Sequence, residues 1–306
     1  MNTIGFDTSN YTTSIAFFNG TNGVNHSSLL PVKYGQLGLR QSDAVFAHIK
    51  SLPELFGRLF SHREASSISA VGVSTRPRAV AGSYMPCFMV GYSHAKLLSE
   101  SLHVPLVEIS HQQGHVAASL WSAGRLDLMD QPHLAWHLSG GTTELLLVEP
   151  EGKNVRCTRI GGTTDISAGQ LIDRTGQLLQ LPFPSGKHLD AHSSASECTQ
   201  FFRVKCSDLN FSFSGVENKV QQFSLNHSPE DTAAYTLASV SHAVLTVSQQ
   251  AKKAYPGLEI VFSGGVASNS MLRRVLAPLN PIFSQPQFST DNAMGVAVLA
   301  HRCTEV

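Results

Sequence analysis

The sequence predicts an α/β fold with mixed sheets, built twice over, and three observations carry that prediction. Strand-like runs alternate with helical stretches along the chain. A hairpin with a hydroxyl-rich tip opens each half: runs 3–8 and 13–18 flank Ser9 and Asn10, and runs 134–138 and 144–148 flank Ser139, Gly140, Gly141 and Thr142. The length, 306 residues of which 42% are hydrophobic and 14% charged, suits a large core shared between two lobes.

Taken in order, residues 69–74 (Ser-Ala-Val-Gly-Val-Ser) read as a strand, and 83–103 as a helix with Pro86 tolerated near its first turn. The apolar run 104–109 reads as a buried strand, and Ser110 after it is a good N-cap for a helix carrying His111 and His115. In the second half, 161–170 leads into a helix over 171–179, and Pro182, Pro184, Ser185 and Gly186 make a loop. A long helix starts near Glu230 and runs to about Ala254, with Ala233, Leu237, Val240 and Val244 on its core face. Residues 259–263 form a buried strand that ends in Gly264-Gly265 before a helix with Arg273 and Arg274, and a polar turn over 289–292 precedes a helix of small residues.

Composition excludes several classes. Lys and Arg total 22 against 22 Asp and Glu, so no overall positive field draws in nucleic acid or an anionic membrane; an RNA substrate needs a local patch or a partner protein. The five cysteines (Cys87, Cys157, Cys198, Cys206, Cys303) are odd in number, scattered and never spaced Cys-x-x-Cys, which indicates reduced thiols rather than a disulfide framework or a thiolate zinc site. The N-terminus lacks a basic region ahead of an apolar one, and the longest uncharged stretch is too polar to span a bilayer, so a soluble cytoplasmic protein is expected.

Three patterns carry chemistry. Imidazoles at i and i+4 share one helix face, so His111 and His115 can aim at a common cation, although a helix that merely carries two histidines has the same spacing. Backbone N–H groups in the two hairpin tips, with hydroxyls beside them, make a cradle for phosphate oxygens. The strand, paired glycine and helix at 259–274 is the arrangement from which nucleotide sites are built in open α/β sheets.

Several segments, in the same order, resemble the tRNA N6-adenosine threonylcarbamoyltransferase family: Asp7-Thr8-Ser9, the histidine pair, Ser139-Gly140-Gly141, Ala168-Gly169 with Asp173, Pro184-Ser185-Gly186, Asn210-Phe211-Ser212-Phe213-Ser214-Gly215, Gly264-Gly265-Val266-Ala267 with Asn269, and Thr290-Asp291-Asn292. The resemblance spans nearly the whole chain. It implies the two-lobed architecture of actin, Hsp70 and the sugar kinases, with a cleft between lobes. On that basis residues 1–131 and 289–306 form one lobe and 132–288 the other. The resemblance implies His111, His115 and Asp291 as metal ligands and catalytic roles for Asp7 and Ser9. Strand alternation adds His137: with Trp136 and Leu138 turned to the core, His137 faces the other way, where some relatives carry a tyrosine ligand. A His₃Asp shell suits zinc or iron.

For the nucleotide, an AMP or ATP type or threonylcarbamoyl-AMP itself, the expected contacts are Ser139, Gly140, Gly141, Thr142, Gly169, Asp173 on the ribose, Gly186, Gly264, Gly265, and Asn269 as a cap or base contact. The implied reaction passes a threonylcarbamoyl group from its adenylate to the N6 amine of the adenosine beside the anticodon, with tRNA delivered through partner subunits and with homodimerisation or a dimerisation partner expected. Four departures touch the site: Asn10-Tyr11-Thr12 stands where the family usually has Cys-Asp-Glu, Gln113 where Glu is common, Thr142 where His or Asn is usual, and Val216-Glu217 where a basic residue follows. They suggest a divergent member, and they leave open a non-catalytic nucleotide-binding paralogue or an ATP-using carbamoyl or phosphoryl transferase. A metalloprotease is disfavoured because Gln112 occupies the position of the zincin general base.

Overall fold

The computed structural model describes residues 1–31, 39–61 and 63–305. The chain divides into two compact units, the first made of Met1–Pro132, Glu149–Cys157 and Asp291–Val306, the second of His133–Val148 and Thr158–Thr290. Each holds its own mixed sheet.

In the first unit β1 (Asn2–Thr8), β2 (Thr12–Phe18) and β3 (Gly23–Leu29) form an antiparallel meander. After α1 (Gln41–Leu59), β4 (Ile68–Arg76) adds parallel to β1, and after α2 (Phe88–Leu102), β5 (Leu106–Ser110) adds parallel to β4, giving the order β3-β2-β1-β4-β5. α3 (His111–Ser122) follows β5 directly. Ile4, Phe6, Ile15, Val71 and Val73 of the sheet pack with Leu52, Leu55 and Leu59 of α1.

Helix α2 begins five residues later than expected: Pro86 disfavours helical backbone at Met85, and the regular turns start at Phe88. α1 is not signalled by the sequence, since its N-cap, Arg40, makes no side-chain capping bond and Pro53 lies inside it.

In the second unit the order is β11-β10-β6-β7-β8-β9. β6 (His133–Leu138) and β7 (Thr143–Glu151) form the second hairpin, followed by β8 (Asn154–Thr163), the end of β7 and the start of β8 being counted with the first unit, then α4 (Ala168–Leu178), α5 (Gly186–Ser194), the short β9 (Asn210–Phe211), α6 (Ser214–Ser224) and the long α7 (Pro229–Ala254). Parallel β10 (Ile260–Ser263) lies beside β6, α8 (Ser270–Leu276) leads on, and β11 (Ile282–Phe283) completes the sheet. Both sheets thus place an antiparallel hairpin beside parallel strands added on the far side of its first strand, as the duplicated motif predicts. The core of this unit gathers Trp136, Leu138, Phe213, Val240, Val244 and Phe262.

The last helix, α9 (Met294–Thr304), returns to the first unit and is almost wholly buried. It packs against β1, β4 and α3. That approach needs glycine at Gly295, where a Cβ would run into the Gly114 carbonyl and come within 2.6 Å of the Ala118 nitrogen of α3. The loop ahead of α9 is thereby pinned over the start of α3. Among the described residues no helix is long and apolar enough to cross a membrane.

Candidate functional site

The N-terminus of α3 is built by a capping box. Ser110 Oγ accepts from the Gln113 backbone N–H at 3.3 Å, and Gln113 Oε1 accepts from the Ser110 N–H at 2.9 Å. The Gln113 amide then donates to the Val155 carbonyl at 2.7 Å. This departure from the family pattern is therefore a structural one: the side chain is buried in the cap, and its NH₂ makes a bond that a glutamate cannot make.

With the cap fixed, His111 and His115 project one turn apart. His115 Nε2 lies 2.9 Å from His111 Nε2 and 3.2 Å from Asp291 Oδ1, and His111 Nε2 lies 3.5 Å from the same oxygen. These three are the His/Cys/Asp/Glu group among the described residues whose ligand atoms converge. The three edges define a circle of radius about 1.9 Å, so one cation bonded at about 2.0–2.1 Å would be within reach of all three atoms. The donor set fits a divalent metal.

His111 and Asp291 are themselves hydrogen-bonded from behind. Asp7 Oδ2 lies 2.7 Å from His111 Nδ1 and accepts from Ser74 Oγ at 2.7 Å, while Asp7 Oδ1 accepts from the Ser9 N–H at 3.1 Å. Ser9 Oγ donates to Asp291 Oδ2 at 3.2 Å. An ionised Asp7 accepts only, so His111 carries its neutral-state proton on Nδ1 and offers the Nε2 lone pair to the centre. Burial opposes charge on His111, yet the carboxylates of Asp7 and Asp291 outweigh it and push its pKa up to about 10. Burial would raise Asp291, but the His111 and His115 imidazoles hold it well below the usual carboxylate range.

Asp7 and Ser9, the pair expected to be catalytic, therefore hydrogen-bond to His111 and Asp291, with Asp7 1% exposed. The tip departure is also tied down: Asn10 Oδ1 accepts from Gln41 Nε2 at 2.7 Å, and Gln41 Oε1 accepts from the Cys87 N–H at 3.3 Å. His137 belongs to the second unit, on β6, half-buried between fully buried Trp136 and Leu138 as strand alternation requires. The converging group in the first unit is thus His111, His115 and Asp291.

In the second unit the turn at the β6–β7 tip is closed by Ser139, whose Oγ accepts from the Thr142 N–H at 3.1 Å. Ser167 caps α4 and donates to the Gly140 carbonyl at 2.6 Å, and the Ala168 N–H donates to Thr143 Oγ1 at 2.8 Å. Gly169 lets the first turn of α4 meet this tip, since a Cβ there would lie 2.5 Å from the Gly140 Cα. Around Gly140, Gly141 and Gly186 an added Cβ meets nothing within 4 Å, and Gly265 is nearly as open, so there is free space beside the backbone there. Gly264, at φ +90, sits against the Leu138 backbone. One oxygen of Asp173 accepts from the Ser185 N–H at 2.8 Å, and burial raises its pKa despite that bond.

Asn269, expected as a cap or base contact, makes two side-chain bonds within the protein. Its Oδ1 accepts from the Leu272 N–H at 2.9 Å and its Nδ2 donates to Asp190 at 2.9 Å, so both ends of the amide are spent on capping α8 and bridging to α5. Sequence reasoning passed over Asp190 and Asp165. Asp165 accepts from the Phe213 N–H at 2.8 Å, the Ser214 N–H at 3.1 Å and the Ser212 hydroxyl, and so fastens the Phe-Ser-Phe-Ser-Gly segment. Its burial would raise its pKa, but the Ser212, Ser214 and Phe213 donors hold it well below the usual carboxylate range. An aspartate two residues ahead of the Ser167 cap is the signal that could have singled it out. Glu217, acidic where the family has a base, pairs with Arg174 of α4 at 2.6 Å.

Comparison with known proteins agrees with the motif order. The model of the tRNA N6-adenosine threonylcarbamoyltransferase family matches residues 31–298. A protein of that name from Carboxydothermus hydrogenoformans is 30% identical over 266 residues, 83% of this chain and 77% of the relative. One from Thermosipho africanus is 29% identical over 320 aligned positions, 98% and 93% of the two chains. Among solved structures, full-length HypF in its phosphate- and nucleotide-bound form superposes with a TM-score of 0.62 at 14% identity, covering 100% of this chain and 56% of that one. A ROK hexokinase from Thermus thermophilus gives 0.56 at 14%, covering 98% of each. These structural likenesses establish the fold, that of the sugar-kinase and actin-like ATPase group.

Proposed function

The chain belongs to the tRNA N6-adenosine threonylcarbamoyltransferase family, an acyltransferase family, and from that premise we propose that it transfers the threonylcarbamoyl group of threonylcarbamoyl-AMP to the N6 amine of the adenosine beside the anticodon in tRNA. The observation that carries the reading is the convergence of His111, His115 and Asp291 on one point, with Asp7 orienting the first of them.

An exocyclic adenine amine is a poor nucleophile because its lone pair is drawn into the ring, so its acylation needs an activated donor and a site that holds the two in register. His111, His115 and Asp291 would hold a divalent metal, zinc or iron by their N and O donors. Lewis-acid polarisation of the carbamoyl carbonyl and relief of negative charge as the amine attacks are what such a cation supplies when bound. Asp7 retains the proton on His111 Nδ1, and Ser9 fixes the rotation of the Asp291 carboxylate. In the second unit the Ser139–Thr142 turn and the N-terminus of α4 suit the AMP phosphate, and Asp173 has an oxygen for the ribose hydroxyls. Gly186 and Gly265 leave open space for the nucleotide close to the backbone, whereas the space at Gly264 is filled by Leu138. No side chain is assigned as a covalent nucleophile. With equal numbers of acidic and basic residues, the chain would meet tRNA through partner subunits, in the cytoplasm.

The Asn10-Tyr11-Thr12 tip favours a second reading, a regulatory nucleotide-binding paralogue, because Asn10 is committed to Gln41 and supplies no carboxylate. One experiment separates the two. Purified protein is incubated with threonylcarbamoyl-AMP, zinc or iron(II), unmodified tRNA and the host's partner subunits, and nucleosides are analysed by mass spectrometry. The enzyme reading expects threonylcarbamoyladenosine with wild type and none with His111→Ala. Absence of product from wild type that still retains metal and nucleotide rejects it in favour of the paralogue.

A further inference from the structure

The geometry points to Ser74 as a positioning residue for the metal centre: acting through Asp7, its hydroxyl holds His111 in the tautomer and orientation that present Nε2 to a divalent cation. This rests on the reading of His111, His115 and Asp291 as metal ligands.

Ser74 sits on β4 between strands β1 and β5, fully buried. A hydroxyl is out of place there by composition, since Val71 and Val73 on the same strand are core residues and central strands favour branched apolar side chains. Buried hydroxyls persist where they are bonded. Ser74 Oγ lies 2.7 Å from Asp7 Oδ2, with the Phe6 carbonyl a distant second acceptor at 3.5 Å, too long for a strong bond. Parallel pairing of β1 with β4, Phe6 opposite Val73, brings Asp7 and Ser74 side by side at the next position.

The consequence lies in the torsion of Asp7. The rotation of a carboxylate about its last bond is soft. Here the Ser9 N–H takes Oδ1 and Ser74 takes Oδ2, which sets the carboxylate plane before His111 arrives. His111 Nδ1 then meets a fixed acceptor, and its ring is turned so that Nε2 faces His115 and Asp291. The Ser74 hydroxyl is out of solvent and bonds to Asp7 and the Phe6 carbonyl, so its effect reaches the cation along this chain of bonds. Outer partners of metal-ligating histidines tune affinity by roughly 10–100-fold, and a group one bond further out is expected near the lower end.

The test uses the full-length protein and the metal ion alone. Zinc affinity is measured by competition with a chromophoric chelator, and the cobalt(II) form is examined for its d–d absorption. Four proteins are compared: wild type, Ser74→Ala, and the isosteric pair Ser74→Thr and Ser74→Val, with the melting temperature of each metal-free form. The expected result is a loss of about tenfold in zinc affinity and an altered cobalt spectrum in Ala and Val, with Thr at the wild-type value. Should Ala fold poorly, Thr against Val isolates the hydroxyl at constant shape. Equal affinity and spectra in Thr and Val overturn the role of Ser74 while leaving the metal centre standing. Failure of wild type to bind metal any better than His111→Ala overturns the centre itself, and the role of Ser74 with it.

Discussion

At neutral pH a cation entering this centre must displace a proton, and the cost can be worked from the structure. The two carboxylates flanking His111 push its pKa up to about 10 against the effect of burial, from an ordinary value of 6.5. At pH 7 the imidazole lies about three pH units below that value, so proton competition weakens apparent metal affinity by about 10³-fold, or about 4 kcal/mol at about 1.4 kcal/mol per unit. The dissociation constant is expected to fall about tenfold per pH unit between 7 and 9 and to level off near 10. Isothermal titration calorimetry in buffers of different ionisation enthalpy should register release of about one proton per zinc at pH 7 to 8. The metal-free protein supplies the sign check. A raised histidine pKa contributes stability present in full below about 6.5 and lost as pH rises through about 10, so the melting temperature of the metal-free form falls across that window. Asp291, held low, contributes stability present above the ordinary carboxylate range and lost on acidification. A dissociation constant flat from pH 7 to 9, with no proton released, refutes the electrostatic account.

Further expectations are more local. Gln113→Glu, which restores the commoner family residue, should destabilise by about 1–3 kcal/mol because the Val155 carbonyl loses its donor and faces a carboxylate; chemical denaturation reads this. Gly295→Ala should abolish soluble expression or lower the melting temperature by many degrees, since its methyl group collides with the backbone of α3 and neither helix can yield. Asn269→Ala removes the cap of α8 and should cost about 1 kcal/mol while leaving nucleotide affinity in calorimetry near wild type. Glu217→Lys breaks a half-exposed pair with Arg174 and should shift stability by no more than about 1 kcal/mol, measured in urea.

How far the site was legible depended on what each residue does locally. The Ser110 cap and the spacing of His111 and His115 are properties of a single helix start, and they read directly from the sequence. The tip residues Ser139 to Thr142 were equally plain, because a turn between two apolar runs announces itself. Asn269 is ambiguous in the sequence because an amide beside a paired glycine looks the same whether it contacts a ligand or bonds to Asp190, 79 positions away. Asp165 and Ser74 were passed over for the same reason: each is one polar residue in an ordinary run until its partner is placed beside it. The departure at Gln113 looked like a change in chemistry and is a change in packing.

The sequence by itself determined the class of fold, the doubled hairpin, and the residue types able to hold a cation, since alternation, capping and glycine placement act over a few neighbouring residues. The family resemblance already groups Asp291 with the histidine pair, but tertiary structure alone decided the partnerships of Asp7 with His111 across 104 positions and of Ser74 with Asp7 across 67. The physical reason is that a hydrogen bond or a coordination bond requires atoms within about 3 Å, and only the seating of α9 against α3 and the pairing of β1 with β4 bring those side chains so close.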